Sequence, residues 1–447
     1  MPEVSLNLEV PTCTCNEGHW HQSHGAAWKL PSLYQGRALA TTERISRWLR
    51  SMFRHRTNDS RVSPQWSPPR SRIVGWLEEA CRCTEFGGDD SSLAAFVTPE
   101  NPKRSAVAER ACIMVPYKAI QASNALINDA TAPRVAVFVG GTSGIGQYTV
   151  KSLVATGASM RIYLVGRKSS EERARAFIHE LRAINATADV IWTEGEVSLL
   201  AETRRICDIV RSQESHVDLL FLTTGYAPFG PRRETAEGLE VAQSLEYYTR
   251  LLFIQHLLPL LKQAEAPRVV SVLGGGMERA SVDVDDLGLK KPGNFGAVKA
   301  QMQYTAMNTM ALESLANVHP AVTFIHSWPG WVNTGNVRRG SEPNSIVAWL
   351  IWLLLEPLIA LFSFSDEESG QRHLFECTSA AFGGRGVRWQ GKPGVNSLGK
   401  SENGLFLVNY KCDSTPNARA VRLLRERAQT KIWDHTQEVL QPYLNVL

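Results

Sequence analysis

From residue 134 onward, short apolar runs alternate with longer stretches whose apolar positions recur at helical spacing. The runs are rich in β-branched residues and continuous rather than alternating with polar ones, as expected of strands buried on both faces. Arg134-Val-Ala-Val-Phe-Val-Gly140 predicts the first strand and Arg161-Ile-Tyr-Leu-Val-Gly166 the second. Further strands are predicted over 188–193, 218–224, 267–273, 321–327 and 404–410. Helices are predicted over 147–155, 170–184, 199–212, 236–264 and 295–317, with a charged, amphipathic closing helix over roughly 416–440. Such alternation predicts an α/β fold: a Rossmann-like, doubly wound parallel sheet with right-handed crossovers. Ligand is then expected beyond the carboxyl ends of the strands.

Residues 1–113 have no sustained period. They hold five of the twelve tryptophans (Trp20, Trp28, Trp48, Trp66, Trp76) and five of the eight cysteines (Cys13, Cys15, Cys81, Cys83, Cys112). With no obvious element to bury them, an irregular or disordered extension is expected. Cys13, Cys15, His19, His21 and His24 are residue types that bind zinc, but their spacing closes no four-ligand pattern, so no metal site is expected. Ile45, Trp48, Leu49, Met52 and Phe53 lie at helical spacing among Arg44, Arg47, Arg50 and Arg54. A short packed helix, or no stable structure, is the simpler reading, and a basic surface-seeking helix is the alternative. The globular pattern begins directly after Met114, which leaves open a start there, with 114–447 as the folded unit.

Of the 447 residues, 43% are hydrophobic and 21% charged, enough apolar material for a sizeable core. A net charge of +4 does not argue for nucleic acid, and eight cysteines do not make a disulfide scaffold. The first thirty residues hold Glu3, Glu9 and Glu17 and no signal-like apolar stretch, so a cytoplasmic location is the default expectation. The most apolar window is 345–364, interrupted by Glu356 and Pro357. A carboxylate and a proline in mid-span are costly in a bilayer, so a pair of lid helices over about 342–365 is the preferred reading, with shallow membrane attachment as the alternative.

The first predicted strand runs into Gly140-Gly-Thr-Ser-Gly144-Ile-Gly146 and then a helix. Strand, glycine turn and helix in that order form a dinucleotide-binding unit. Gly140 permits the tight turn, Gly144 lets the backbone approach a pyrophosphate, and Gly146 allows close helix–strand packing. At the end of the second strand an acidic residue would take a ribose 2′-hydroxyl; here Gly166 stands in its place, followed by Arg167 and Lys168. Basic residues there accommodate a 2′-phosphate, so the expected cofactor is NADP(H).

Over about 134–335 these residues resemble the short-chain dehydrogenase/reductase family. The glycine motif, the Gly225 of Leu222-Thr-Thr-Gly225, the Glu196 of Glu196-Val-Ser and Pro329-Gly330 followed by Val332 and Thr334 carry the likeness. Tyr117-Lys-Ala-Ile-Gln-Ala-Ser-Asn124, Thr235-Ala-Glu-Gly-Leu-Glu240, Glu368-Ser-Gly-Gln-Arg372 and Trp433-Asp-His-Thr436 resemble a fungal subgroup often found in secondary-metabolite pathways, and extend the likeness to 114–447. The resemblance implies a cofactor site of Gly140, Ser143, Gly144, Ile145, Gly146, Arg167, Lys168, Glu196, Gly225, Lys299, Pro329 and Gly330. It also implies pairing into a homodimer through two long helices, here 236–264 and 295–317.

The family's catalytic groups are a Tyr and a Lys with three residues between them, a Ser and an Asn. The Tyr protonates the carbonyl oxygen while the Lys lowers its pKa. Aligned by motif, the Tyr position is Phe295, the Lys is Lys299, the Ser position is Gly274 and the Asn position is Glu246, so one group of four is retained. Tyr304 is the first substitute considered for the missing acid; Tyr226, Tyr247, Tyr248, His326 and bound water are others. The expected activity is NADP(H)-dependent keto reduction or alcohol oxidation of a small apolar metabolite. A non-redox isomerase or cyclase on the same fold, or a non-catalytic NADP-binding protein, is the alternative.

Overall fold

The computed structural model describes residues 115–335 and 363–444. The N-terminal extension and residues 342–362 of the expected lid lie outside them. Seven parallel strands form one sheet in the order β3-β2-β1-β4-β5-β6-β7. They are β1 (Val135–Val139), β2 (Met160–Gly166), β3 (Ala188–Glu194), β4 (Leu219–Leu222), β5 (Arg268–Val272), β6 (Thr323–Ser327) and β7 (Leu405–Val408). Strand order reverses between β1 and β4, and a crevice opens at such a switch point.

Both faces of the sheet are covered, which explains why the strands read as continuous apolar runs. Val135, Val137 and Val139 of β1 join the core on one face, and Ala136 and Phe138 join the other. The first face carries α4 (Leu200–Gln213), α5 (Thr249–Leu261), α6 (Ala297–Val318), α8 (Ala418–Arg427) and α9 (Gln429–Leu444). The second carries α1 (Tyr117–Asn124), α2 (Gly144–Val154), α3 (Glu171–Ile184) and α7 (Asp366–Thr378). The expected closing helix is two helices, because Ala428 leaves helical geometry (φ −129°, ψ −27°) between α8 and α9. The α5 rod is entered through one α-turn, Val241–Gln243, and a π-turn, Ser244–Tyr248.

Two of the four stretches that extended the resemblance have clear packing roles. In α7, a Cβ on Gly370 would lie 2.6 Å from the Tyr148 carbonyl oxygen of α2, so only glycine allows the two helices to touch there. Arg372 forks onto Glu368 (2.9 and 2.7 Å) and lies over the rings of Phe364 and Tyr117. In α9, His435 bonds the Tyr248 hydroxyl at 2.7 Å and Thr436 bonds the Tyr247 hydroxyl, which ties α9 to the π-turn.

Glu376 of α7 is buried, with Ser327 donating to one carboxyl oxygen at 2.9 Å. Burial raises its pKa from the ordinary 4.5 to about 8. The folded chain therefore keeps a proton there that the unfolded chain releases. The stability this supplies is complete below pH 4.5 and is lost as pH rises through about 8. Urea unfolding across that range is expected to show wild-type stability falling with pH. Glu376→Gln should flatten the fall by about 1–3 kcal/mol; an unchanged slope would remove Glu376 as a source of it.

Candidate active site

A cavity of about 900 Å³ opens at the carboxyl ends of the central strands, at the switch point. Its floor is the β1–α2 turn. Gly140 has φ +94°, and Gly144 has φ +58°. A Cβ on Gly146 would lie 2.5 Å from the Gly140 carbonyl oxygen, and one on Gly144 would lie 2.8 Å from the Thr334 side chain. The turn is thus bare backbone leading into the N-terminus of α2, the geometry that receives a pyrophosphate. Gly140, Ser143 and Ile145 line the cavity, as do Arg167, Glu196, Gly225, Pro329 and Gly330. Gly144 and Gly146 shape the turn from beneath.

At the β2 end, Arg167 and Arg173 share the wall with Ser170. Arg173 donates to the Thr142 carbonyl at 3.2 Å and to Ser170 Oγ at 3.1 Å, which aims α3's first turn at the glycine turn. Lys168, expected here, is exposed and is not part of the wall, and Arg173 is the second basic residue instead. Arg173 lies in Glu171-Glu-Arg-Ala-Arg175, which reads as an ordinary solvated helix face. Glu196 accepts from the backbone N–H and the hydroxyl of Ser198.

The other end of the cavity departs from the motif alignment. Lys299 is exposed on α6, donates to Asn294 and lies 3.9 Å from Asp283; it does not line the cavity, and neither does Phe295. Gln301 supplies the α6 contact instead, two residues beyond Lys299 and so about 200° around the helix. Phe295 packs against the cluster of Ala242, Leu289, Ala300 and Tyr304. Tyr304 is fully buried in that cluster and donates its hydroxyl to Glu240 at 2.9 Å. Burial and the Glu240 charge hold its pKa well above the usual range, so it neither reaches the cavity nor gives up its proton readily. Lys299 and Tyr304 therefore lose the roles the sequence suggested.

The remaining substitutes sort in the same way. Tyr247 and Tyr248 are buried against α9. His326 is buried behind the strand ends. It accepts the Gly274 N–H on Nε2 (3.3 Å) and meets Thr309 through Nδ1 (2.8 Å), while Thr309 donates to Glu278 at 2.7 Å. Burial lowers its pKa to about 3, so it stays neutral. A Cβ on Gly274 would lie 2.5 Å from Thr305 Oγ1, so the position has no room for a serine in this packing. Ser271 accepts from Arg250 (2.8 Å) inside the core. Tyr226 alone of these candidates lines the cavity.

Glu246 and Arg250 complete that end. Arg250 is buried beneath the wall and donates to Ser271 Oγ and to the carbonyls of Val272 (2.9 Å), Thr224 (2.6 Å) and Leu245 (3.3 Å). Desolvation lowers its pKa to about 10, which leaves it charged at neutral pH. Glu246 lines the cavity from the π-turn and accepts the Gln301 amide at 2.6 Å. Burial raises its pKa to about 8.

A switch-point crevice with a bare glycine turn and a mixed polar end defines an α/β enzyme of dinucleotide-binding type. The comparisons narrow this. Residues 134–282 match the family model described as short chain dehydrogenase. The chain is 37% identical over 339 residues to oxidoreductase AN1596 of Emericella nidulans, covering 73% of this chain and 98% of that protein. It is 29% identical over 332 residues to the short-chain dehydrogenase/reductase SAT2 of Stachybotrys chartarum, covering 68% and 91%. Among solved structures, NADPH-bound carbonyl reductase from chicken fatty liver aligns with a TM-score of 0.41 at 17% identity, covering 63% of this chain and 98% of that one. The chain belongs to the short-chain dehydrogenase/reductase family and is an oxidoreductase.

Proposed function

We propose that the protein uses NADP(H) to interconvert a ketone and an alcohol on a small apolar metabolite. The observation that carries the cofactor choice is the pairing of Arg167 and Arg173 on the wall beside Ser170, with Gly166 where an acidic residue would discriminate against a 2′-phosphate. The glycine turn fits the rest of the group, because a Cβ at Gly140 would meet Thr223 Oγ1 and one at Gly146 would meet the Gly140 carbonyl oxygen, so only glycines let the turn lie close against the start of α2 with its backbone facing the cavity. When bound, the cofactor supplies or accepts a hydride at the nicotinamide. The chain's own residues hold the two phosphate regions, exclude water and manage a proton at the other end.

The apolar substrate class is supported by Tyr226, Leu245, Leu273 and Trp328, which surround that end. Phe364, one residue after the described chain resumes, donates its backbone N–H to the Trp331 carbonyl (3.1 Å).

Arg167→Ala and Arg173→Ala are each expected to weaken NADPH binding about tenfold or more, the scale of one lost charge-assisted phosphate contact, and to leave NADH nearly unchanged. Fluorescence titration of both nucleotides against the full chain checks this. Equal losses for the two nucleotides would assign the arginines to a role other than the 2′-phosphate.

A further inference from the structure

We infer that Glu246 is the proton donor to the substrate carbonyl. This rests on the oxidoreductase reading above and replaces the acid that Phe295 cannot supply. The donor must be a wall group that holds a transferable proton. The four arginines (Arg167, Arg173, Arg233, Arg250) stay charged and do not act as acids. Glu196 is exposed, and Glu234 is held ionised by Arg232 at 2.5 Å. Among the ionisable groups of the described wall, Tyr226 and Glu246 remain.

Glu246 is the one the surrounding structure positions. The π-turn inserts an extra residue into the helix and rotates this side chain inward, a device common at functional sites. Such a turn frees backbone carbonyls, and each is taken up. Thr224 Oγ1 (3.1 Å) and Arg250 donate to the Leu245 carbonyl, and Asn308 donates to the Glu246 carbonyl at 2.8 Å. Tyr247 and Tyr248, the two residues that follow Glu246, are pinned to α9. The carboxyl lies against Gly225, where a Cβ would be 2.6 Å from Oε1, so the glycine retained from the family motif clears its path.

The electrostatics suit an acid that must be neutral before transfer and charged after it. Desolvation is the largest influence and keeps Glu246 protonated at neutral pH, with Glu240 adding to it. Against this, Arg250, the Gln301 amide and the Tyr226 backbone N–H favour the carboxylate once the proton has left. In reduction, the carbonyl carbon accepts a hydride from the reduced nicotinamide, which is oxidised. The carbonyl π pair moves to oxygen, and that oxygen takes the proton as the Glu246 O–H bond breaks. The carboxylate then regains a proton from solvent. Alcohol oxidation runs the same transfers in reverse.

Infrared difference spectroscopy on the full chain, without added nucleotide, tests the protonation state directly. A protonated-carboxyl band that titrates near pH 8 and vanishes in Glu246→Gln is expected. With NADPH and 2-decalone as the probe ketone, Glu246→Gln should lower kcat by about 10²–10⁴-fold while NADPH affinity, read by fluorescence, stays within about threefold. Wild-type kcat should fall as pH rises through about 8, and Tyr226→Phe should lose less than about tenfold. Glu246 titrating in the ordinary carboxylate range would overturn the proposal, because the acid would be ionised at neutral pH. So would near-normal turnover in Glu246→Gln with collapse in Tyr226→Phe, which would give the role to Tyr226. A wild-type chain that binds no nicotinamide nucleotide would overturn the cofactor reading itself, whatever the infrared titration shows.

Discussion

Gly146→Ala is expected to abolish nucleotide binding and to destabilise the fold together. The added methyl would lie 2.5 Å from the Gly140 carbonyl oxygen and 3.0 Å from the Gly140 carbonyl carbon and Gly141 Cα. All three are backbone atoms, so no side chain can swing aside. Either α2 lifts from β1 or the turn opens, and both spoil the row of N–H groups at the helix start. Overpacking of this kind costs about 1–3 kcal/mol. The affinity loss should be larger, because the pyrophosphate position moves with the turn; a hundredfold or greater weakening is about 2.7 kcal/mol. Gly296→Ala is the control, since a methyl there meets open space at ordinary extended backbone geometry. Thermal melts and NADPH titrations of the two variants should separate cleanly. Binding retained in Gly146→Ala would mean the turn is not the phosphate cradle.

Arg268→Met is expected to be the most destabilising single change to the fold. Arg268 opens β5 and is buried, and its guanidinium donates to four carbonyls: Glu376 (2.9 Å), Ser379 (2.9 Å), Phe382 (3.1 Å) and Arg385 (3.0 Å). These belong to the C-terminal end of α7 and the loop after it, where a cation also suits the helix dipole. Methionine fills much of the volume but leaves the four carbonyls without their donor. Even partial relaxation should cost at least about 3 kcal/mol. Lysine should recover little, because one ammonium cannot reproduce the planar fork. Urea unfolding measures this; a loss under about 1 kcal/mol would show that the carbonyls find other donors.

The sheet was legible because its strands are buried on both faces and carry unbroken apolar runs; the predicted strands overlap all seven observed ones. That the glycine turn and Arg167 border the switch-point cavity was legible because their spacing is set by local backbone geometry. The catalytic end was not. The YxxxK-type spacing from Phe295 to Lys299 lies at the start of α6, yet from Gln303 to Leu312 that helix is buried on every side. No polar face therefore marks which residue meets the cavity. Docking sets that face, and it turns Gln301 inward and Lys299 outward. Glu246 was read only as a lost asparagine; its place in the cavity wall was not legible, because a π-turn leaves no periodic signature in the sequence. Arg173 was hidden for the opposite reason, as one charge among many on an amphipathic helix. The split of the closing helix at Ala428 has no proline or glycine to announce it.

The most direct test of the account is calorimetric titration of the full wild-type chain with NADPH and with NADH under identical salt. NADPH is expected to bind with one site per chain and at least about tenfold more tightly than NADH, a difference of about 1.4 kcal/mol, and the preference should vanish when Arg167 and Arg173 are both replaced by alanine. Equal binding of the two nucleotides, or binding of neither, would contradict it.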